Sequence, residues 1–215
     1  TNVFSSNLLD GMDITSNGAI TLNNITANNN GAATGRGVSI TDAGMNKAVK
    51  LNGTNSFSGN AADGLDVSAK GAISASSITA INNGLSGPAD GASLDNHSGV
   101  GGVTLTGINI FTSNSSDGLQ INSLGGISLT KVTADGNGTS GTGNGLTATT
   151  SGTSTITLTC GSFTNNNNFG LDLTTVTGAI TLKGVVYSGN SPDTDNPGLP
   201  PVVGAWVITR SCPLP

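Results

Sequence analysis

Residues 63–84 read DGLDVSAKGAISASSITAINNG, and residues 117–138 read DGLQINSLGGISLTKVTADGNG. In each, an Asp-Gly pair opens a short run of alternating apolar and polar residues, as in Leu65-Asp66-Val67. A second alternating run follows, Ile73-Ser74-Ala75 or Ile127-Ser128-Leu129, and a third leads to an Asn, Asn83 or Asn137. Alternation with period two marks a strand with one buried face. The recurrence of the whole three-strand unit marks a repeat.

Working outward, the small-apolar-polar-apolar run recurs with its first apolar residue at 20, 49, 73, 103, 127, 156 and 180. The spacings are 29, 24, 30, 24, 29 and 24, so long and short units alternate. A second landmark is an apolar residue followed three positions later by Asn. It is Phe in short units (Phe4/Asn7, Phe57/Asn60, Phe111/Asn114, Phe163/Asn166) and Ala in long ones (Ala27/Asn30, Ala80/Asn83, Ala134/Asn137). Tyr187/Asn190 fills the last long-unit slot. From Asn to the Gly that opens the next run is four residues in short units and seven or eight in long ones. This places most of the length difference in one loop.

A coil of this size with three alternating strands predicts one turn of a parallel β-solenoid. Equivalent residues then stack ~4.8 Å apart, aliphatic on aliphatic inside and polar on polar outside. Ile20 and Leu22 point inward and Thr21 outward; Leu65 and Val67 point inward and Asp66 outward. Asn7, Asn30, Asn60, Asn83, Asn114, Asn137, Asn166 and Asn190 are expected to form an asparagine ladder at one bend. Phe alternating with Ala reads as large-on-small packing in a narrow core. The expected fold is all-β, a β-helix of about eight turns and ~38 Å length. Residues 1–203 carry the repeats, and 204–215 form a capping or docking strand and tail.

The two quoted strings resemble right-handed parallel β-helix repeats of the pectin-lyase-like class. They are especially similar to the Asn/Gly-rich repeats of large secreted bacterial surface proteins. The resemblance covers roughly residues 1–190. It implies a right-handed coil and a secreted setting. It also directs attention to Asp clusters, because members that cleave acidic polysaccharides use clustered Asp, often with calcium, plus Arg or Lys. Solenoids host many functions, so fold alone implies no activity.

Composition excludes other classes. Gly, Thr, Asn and Ser contribute 33, 29, 26 and 25 residues, Glu is absent, and only 9% of the chain is charged. Solvent-facing helices need Glu, Lys, Gln and Arg, which are absent or scarce here. A net charge of −5 without a basic stripe argues against nucleic acid as a partner. No apolar run approaches the ~18 residues of a membrane span. The chain starts at Thr1, which reads as leader removal or a fragment. Cys160 and Cys212 fit one disulfide in an oxidising compartment, so a secreted or surface location is expected.

The acidic residues divide into two sets. Asp10, Asp63, Asp90 and Asp117 each precede Gly, which reads as turn chemistry. Asp13, Asp66 and Asp172 share one outward slot that Gln120 interrupts. Two turns separate Asp13 from Asp66, ~9.6 Å, too wide for one metal ion or a retaining carboxylate pair. That distance comes close to an inverting pair, but no third polar group joins it, and Arg36 and Arg210 lie far apart in the repeat. No cofactor and no catalytic residue is assigned; calcium on outward Asp is a lesser expectation, and the nonapeptide calcium repeat is absent. His97 reads as a solvated loop residue. Glycosylation sequons begin at Asn24, Asn52, Asn96, Asn114 and Asn137. The outward Thr21, Lys50, Ser74, Thr104, Ser128, Thr157 and Thr181 raise ice binding, but Lys50 and Lys183 break the Thr lattice. Polysaccharide is a conceivable partner, with Tyr187 and Trp206 the only aromatic platforms.

The ends complete the reading. The stretch Asn196-Pro197-Gly198-Leu199-Pro200-Pro201 falls in a third-strand slot, where Pro marks a terminating edge. Gly204-Ala205-Trp206-Val207-Ile208 repeats the form of Gly178-Ala179-Ile180-Thr181-Leu182 and begins a further coil, with Trp206 covering the open end. Thr1-Asn2-Val3-Phe4 aligns with Thr54-Asn55-Ser56-Phe57, partway through a short unit. One end therefore offers the first strand that the other lacks. The expected function is a non-enzymatic extracellular structural protein stacking head-to-tail into a filament through Thr1, Val3, Phe4, Trp206, Val207 and Ile208. An adhesin or carbohydrate-binding stalk module cut from a longer surface protein is the competing reading. Strict register would hold the cysteines ~9.6 Å apart, beyond the ~7 Å limit for bridged Cα atoms. Descent of the tail by one turn would close that gap, so an intrachain bridge is preferred to an intersubunit one.

Overall fold

The computed structural model describes residues 1–175, 177–191, 206–209 and 212, of which 206–209 are described as backbone. Every strand pairing in it is parallel, and the described residues contain no helix. The chain winds as a β-solenoid with three faces. The first face stacks Ile20–Asn23, Val49–Asn52, Ile73–Ser76, Val103–Thr106 and Ile127–Thr130, then the opening halves of Ile156–Thr164 and Ile180–Ser188, then Trp206–Thr209. The second face runs from Asn2–Val3 through Ile78–Ile81 and Val132–Asp135 to the closing halves of the same two long strands. The third face holds seven strands, Met12–Ser16 to Leu171–Thr174, which sets the count at about seven turns. An eighth third-face strand would fall at 196–201, outside the described residues, as do the prolines and the boundary at 203/204.

Register follows the sequence repeat. Ile20 lies opposite Val49, then come Ile73, Val103, Ile127, Ile156, Ile180 and Trp206 in unbroken order. Inward residues such as Leu65, Val67, Ile73 and Val103 are fully buried, while Asp66 and Thr104 look outward. Phe57, Phe111 and Phe163 are also fully buried, each stacked on Ala80 or Ala134. The large-on-small rule ends at Tyr187, which lies opposite Phe163.

The length alternation is shared between two loops, which corrects the one-loop expectation. Besides the loops after Asn30, Asn83 and Asn137, the link from third to first face is long twice, from Asp42 to Val49 and from Asp95 to Val103. It is short from Ala69 to Ile73 and from Ser123 to Ile127. The two long loops flank the third face on alternate sides. From Met12 to Leu146 each interval between third-face strands therefore contains one long and one short connection, and Val38, Leu65, Ala92, Leu119 and Leu146 recur every 27 residues.

Between first and second faces the chain turns through one left-handed residue per turn: Asn24, Gly53, Ser77, Gly107, Lys131, Cys160 and Gly184. Two short turns carry a further buried Asn just beyond, which the sequence reading missed. Asn55 and Asn109 accept the backbone N–H of Ile25 and Ile78 on their carboxamide oxygens, both at 3.1 Å. The third short turn replaces that bend with Cys160-Gly161, and the strand continues unbroken as Ile156–Thr164. Gly161 is needed there: a Cβ would lie 2.6 Å from the Phe163 ring.

Candidate functional site

The asparagine ladder runs the length of the solenoid. Each Asn Nδ2 from Asn7 to Asn166 donates to the Oδ1 of the next Asn, over 2.8–3.0 Å. The same Oδ1 also accepts the backbone N–H of the preceding Asn, over 2.9–3.1 Å. From Asn60 onward the second Nδ2 hydrogen goes to a carbonyl of the turn below, as from Asn83 to Phe57 and from Asn114 to Ala80. An amide carries two donors and two acceptor sites, and the interior Asn use them all. Burial without loss of hydrogen bonds becomes possible, and Asn30, Asn60 and Asn114 are fully buried.

The Gly that opens each third-face strand makes room for this ladder. At Gly64 a Cβ would lie 2.5 Å from the Gly91 carbonyl oxygen and 2.8 Å from Asn83 Nδ2. Asp-Gly is therefore a packing device here, where the sequence suggested turn chemistry. The Asp before the Gly has its own task. Asp10, Asp63, Asp90 and Asp117 each accept, on Oδ1, the backbone N–H of the equivalent residue one turn on: Arg36, Asp90, Asp117 and Asn144, at 2.7–2.9 Å. Asn144 continues the series with its neutral Oδ1 on the N–H of Phe169.

This brings three carboxylates together on consecutive turns, a stack the sequence analysis did not find. Burial first, then the Asp117 and Asp63 charges, push Asp90 up to about 7. Asp63 and Asp66 are also raised, by burial above all. Arg36 opposes this: its Nε stands 3.2 Å from Asp66 and 3.8 Å from Asp63. A constant 27-residue spacing of Asp63, Asp90 and Asp117 was the available signal.

The outward slot is as expected. Asp13, Ser39, Asp66, Ser93, Gln120, Thr147 and Asp172 follow in register, so Asp13 and Asp66 stand two turns apart and Asp172 four turns further. Among the described residues, no three Asp, His or Cys side chains converge as a metal site would require. His97 is exposed, with its backbone N–H on Asp95. Of the sequon asparagines, Asn96, Asn114 and Asn137 are buried and Asn24 and Asn52 exposed. Arg210 lies outside the described residues, and so do the side chains of Trp206, Val207 and Ile208.

The two ends differ from the interior. At the N-terminal face, Phe4, Met12, Ile14 and Leu22 occupy inward slots yet are only half-buried, Val3 is exposed, and Thr1 and Asn7 face solvent. At the other end, Trp206–Thr209 pairs with residues 180–183 and, among the described residues, with nothing on its outer edge. Cys160 and Cys212 are disulfide-bonded within the chain, with Cα atoms 5.3 Å apart. Cys212 lies against Gly184, the residue next to Cys160 one turn on.

Compared with protein-family models, with curated proteins and with solved structures, the chain matches none. What can be said of its class rests on its own geometry: it is a parallel β-solenoid built around an asparagine ladder.

Proposed function

We propose that this chain is a non-enzymatic extracellular structural protein whose copies stack head-to-tail into a β-solenoid filament. It is read as a right-handed β-helix akin to the Asn/Gly-rich repeats of secreted bacterial surface proteins. One observation carries the proposal: the first turn leaves Phe4, Met12, Ile14 and Leu22 half-buried, where their counterparts in interior turns are covered by a turn on either side. Such a face is covered by a further turn of the same chain or by a second copy, and stacking of copies is a heterologous contact that propagates without closing.

The registers are complementary. Trp206–Thr209 begins a turn whose second strand would be Asn2–Val3 of the next copy. Asn7 of that copy would then follow Asn190 in the ladder, a short unit after a long one. Ile20–Asn23 of the same copy would stack on Trp206–Thr209. The Cys160–Cys212 disulfide supports an oxidising, extracellular setting. The polar side chains support a structural role, since the buried Asn and the Asp before Gly spend their hydrogen bonds holding one turn to the next.

Sedimentation velocity over a wide concentration range tests this. The parent should shift to large, polydisperse species as concentration rises. A Met12→Lys, Ile14→Lys variant should remain a monomer with unchanged β-type circular dichroism. A parent that stays monomeric throughout would exclude stacking and leave the stalk-module reading, in which the same end faces continue covalently.

A further inference from the structure

The tail disulfide sits beside the end face on which stacking would occur. Thr159 lies opposite Lys183 and Gly161 opposite Val185, so Cys160 is in register with Gly184 one turn on. Lys183 lies opposite Thr209, so strict winding would carry the chain onward to position 210 and away from Cys160. Instead Cys212 turns back over Gly184. A Cβ at Gly184 would run into Cys212 Sγ and lie 2.6 Å from its backbone nitrogen, and the residue has φ +59°. Gly184 thus supplies both the left-handed corner and the space that Cys212 occupies. The consequence is mechanical. Among the described residues Trp206–Thr209 is a four-residue edge strand, paired on one side with residues 180–183, and the bridge fastens it from its C-terminal side to the turn below.

We propose that the Cys160–Cys212 bridge is a redox latch on the docking end, holding Trp206–Thr209 in place as the surface on which the next copy stacks. This rests on the head-to-tail reading above. Reduction by a small dithiol breaks the Sγ–Sγ bond. The dithiol gives two electrons and two protons, Cys160 and Cys212 leave as thiols, and the dithiol becomes a cyclic disulfide. Both cysteines are half-buried and line an open groove with Lys131, Ile108 and Val186, so a reductant can reach them. The exposed Lys131 ammonium in that groove attracts an incoming thiolate. Once released, a short edge strand with one partner is expected to fray.

Hydrogen–deuterium exchange of the whole protein, oxidised and after treatment with a dithiol, tests the latch, with sedimentation run in parallel. Reduction should cut protection of the Trp206–Thr209 amides at least tenfold and leave Ile127–Thr130 unchanged. Sedimenting species should disperse and return on reoxidation. A Cys160→Ser, Cys212→Ser variant should behave as the reduced protein without any reductant. Unchanged protection at 206–209 on reduction overturns the latch. Protection lost while the filament persists also overturns it, because the strand would not then be the docking surface. If the oxidised protein never assembles yet protection falls, the stacking reading fails and the fastening of the strand stands.

Discussion

Two polar columns run along this solenoid, and they solve the same problem with different chemistry. In the Asn column every side chain is donor and acceptor at once, so each turn satisfies the next and no charge accumulates. In the Asp column each carboxylate caps a backbone N–H of the following turn but has nothing to donate to the carboxylate above it. Stacking then brings like charges together. Asp90, between Asp63 and Asp117, is pushed up to about 7, whereas Asn144 does the same capping with a neutral amide. Neutral amides can be stacked without limit, and carboxylates cannot.

The comparison breaks most visibly at the centre of the ladder. Asn114→Ala removes the acceptor used by Asn83, both donors to Asn137 and Ala80, and fills none of the space. Several buried groups lose partners together, so urea unfolding should show a loss of about 4–5 kcal/mol. A change below about 1 kcal/mol would mean the ladder is incidental to stability.

In the Asp column the effect has the opposite sign and depends on pH. The folded-state pKa of Asp90 lies above its unfolded value, so the folded protein favours the protonated form. The associated stability is fully present below about pH 4 and lost as pH rises through about 7. Asp90→Asn keeps an oxygen for the Asp117 N–H and removes the charge. It should leave stability at pH 4 nearly unchanged and raise it at pH 8, by at most about 4 kcal/mol. Thermal melts at both pH values check this, and equal shifts at both would refute the stacking explanation.

Gly64 touches both columns, following Asp63 in the chain and packing against Asn83 of the ladder. Gly64→Ala should cost about 2–3 kcal/mol, because its Cβ would meet backbone on two sides and Asn83 on a third. The smallest effect is expected at Arg36, whose side chain is 40% exposed. Arg36→Gln should cost about 0.5–1 kcal/mol near neutral pH, where Asp63 and Asp66 lose their counter-charge, and the cost should shrink in high salt.

The two columns were unequally legible in the sequence. The Asn series could be read because Phe, Ala or, at the last position, Tyr stands three residues before it, giving each Asn a marker. Asp63, Asp90 and Asp117 keep a constant spacing only when counted along the third face, because the two loops lengthen on alternate sides of it. Counting from Ile20 hides that regularity. Asn55 and Asn109 were missed because nothing separates a buried Asn from a surface one in a chain with 26 of them. The disulfide was legible as a pair, but the position of Cys212 depends on the missing side chain at Gly184.

The central claim is that the asparagine column continues from one molecule into the next. Electron microscopy of the oxidised protein, concentrated and unfixed, tests it most directly. The account predicts unbranched fibres one solenoid wide, with an axial repeat of ~38 Å per copy, from eight first-face strands at ~4.8 Å each. Isolated rods of a single copy's length at every concentration would contradict it.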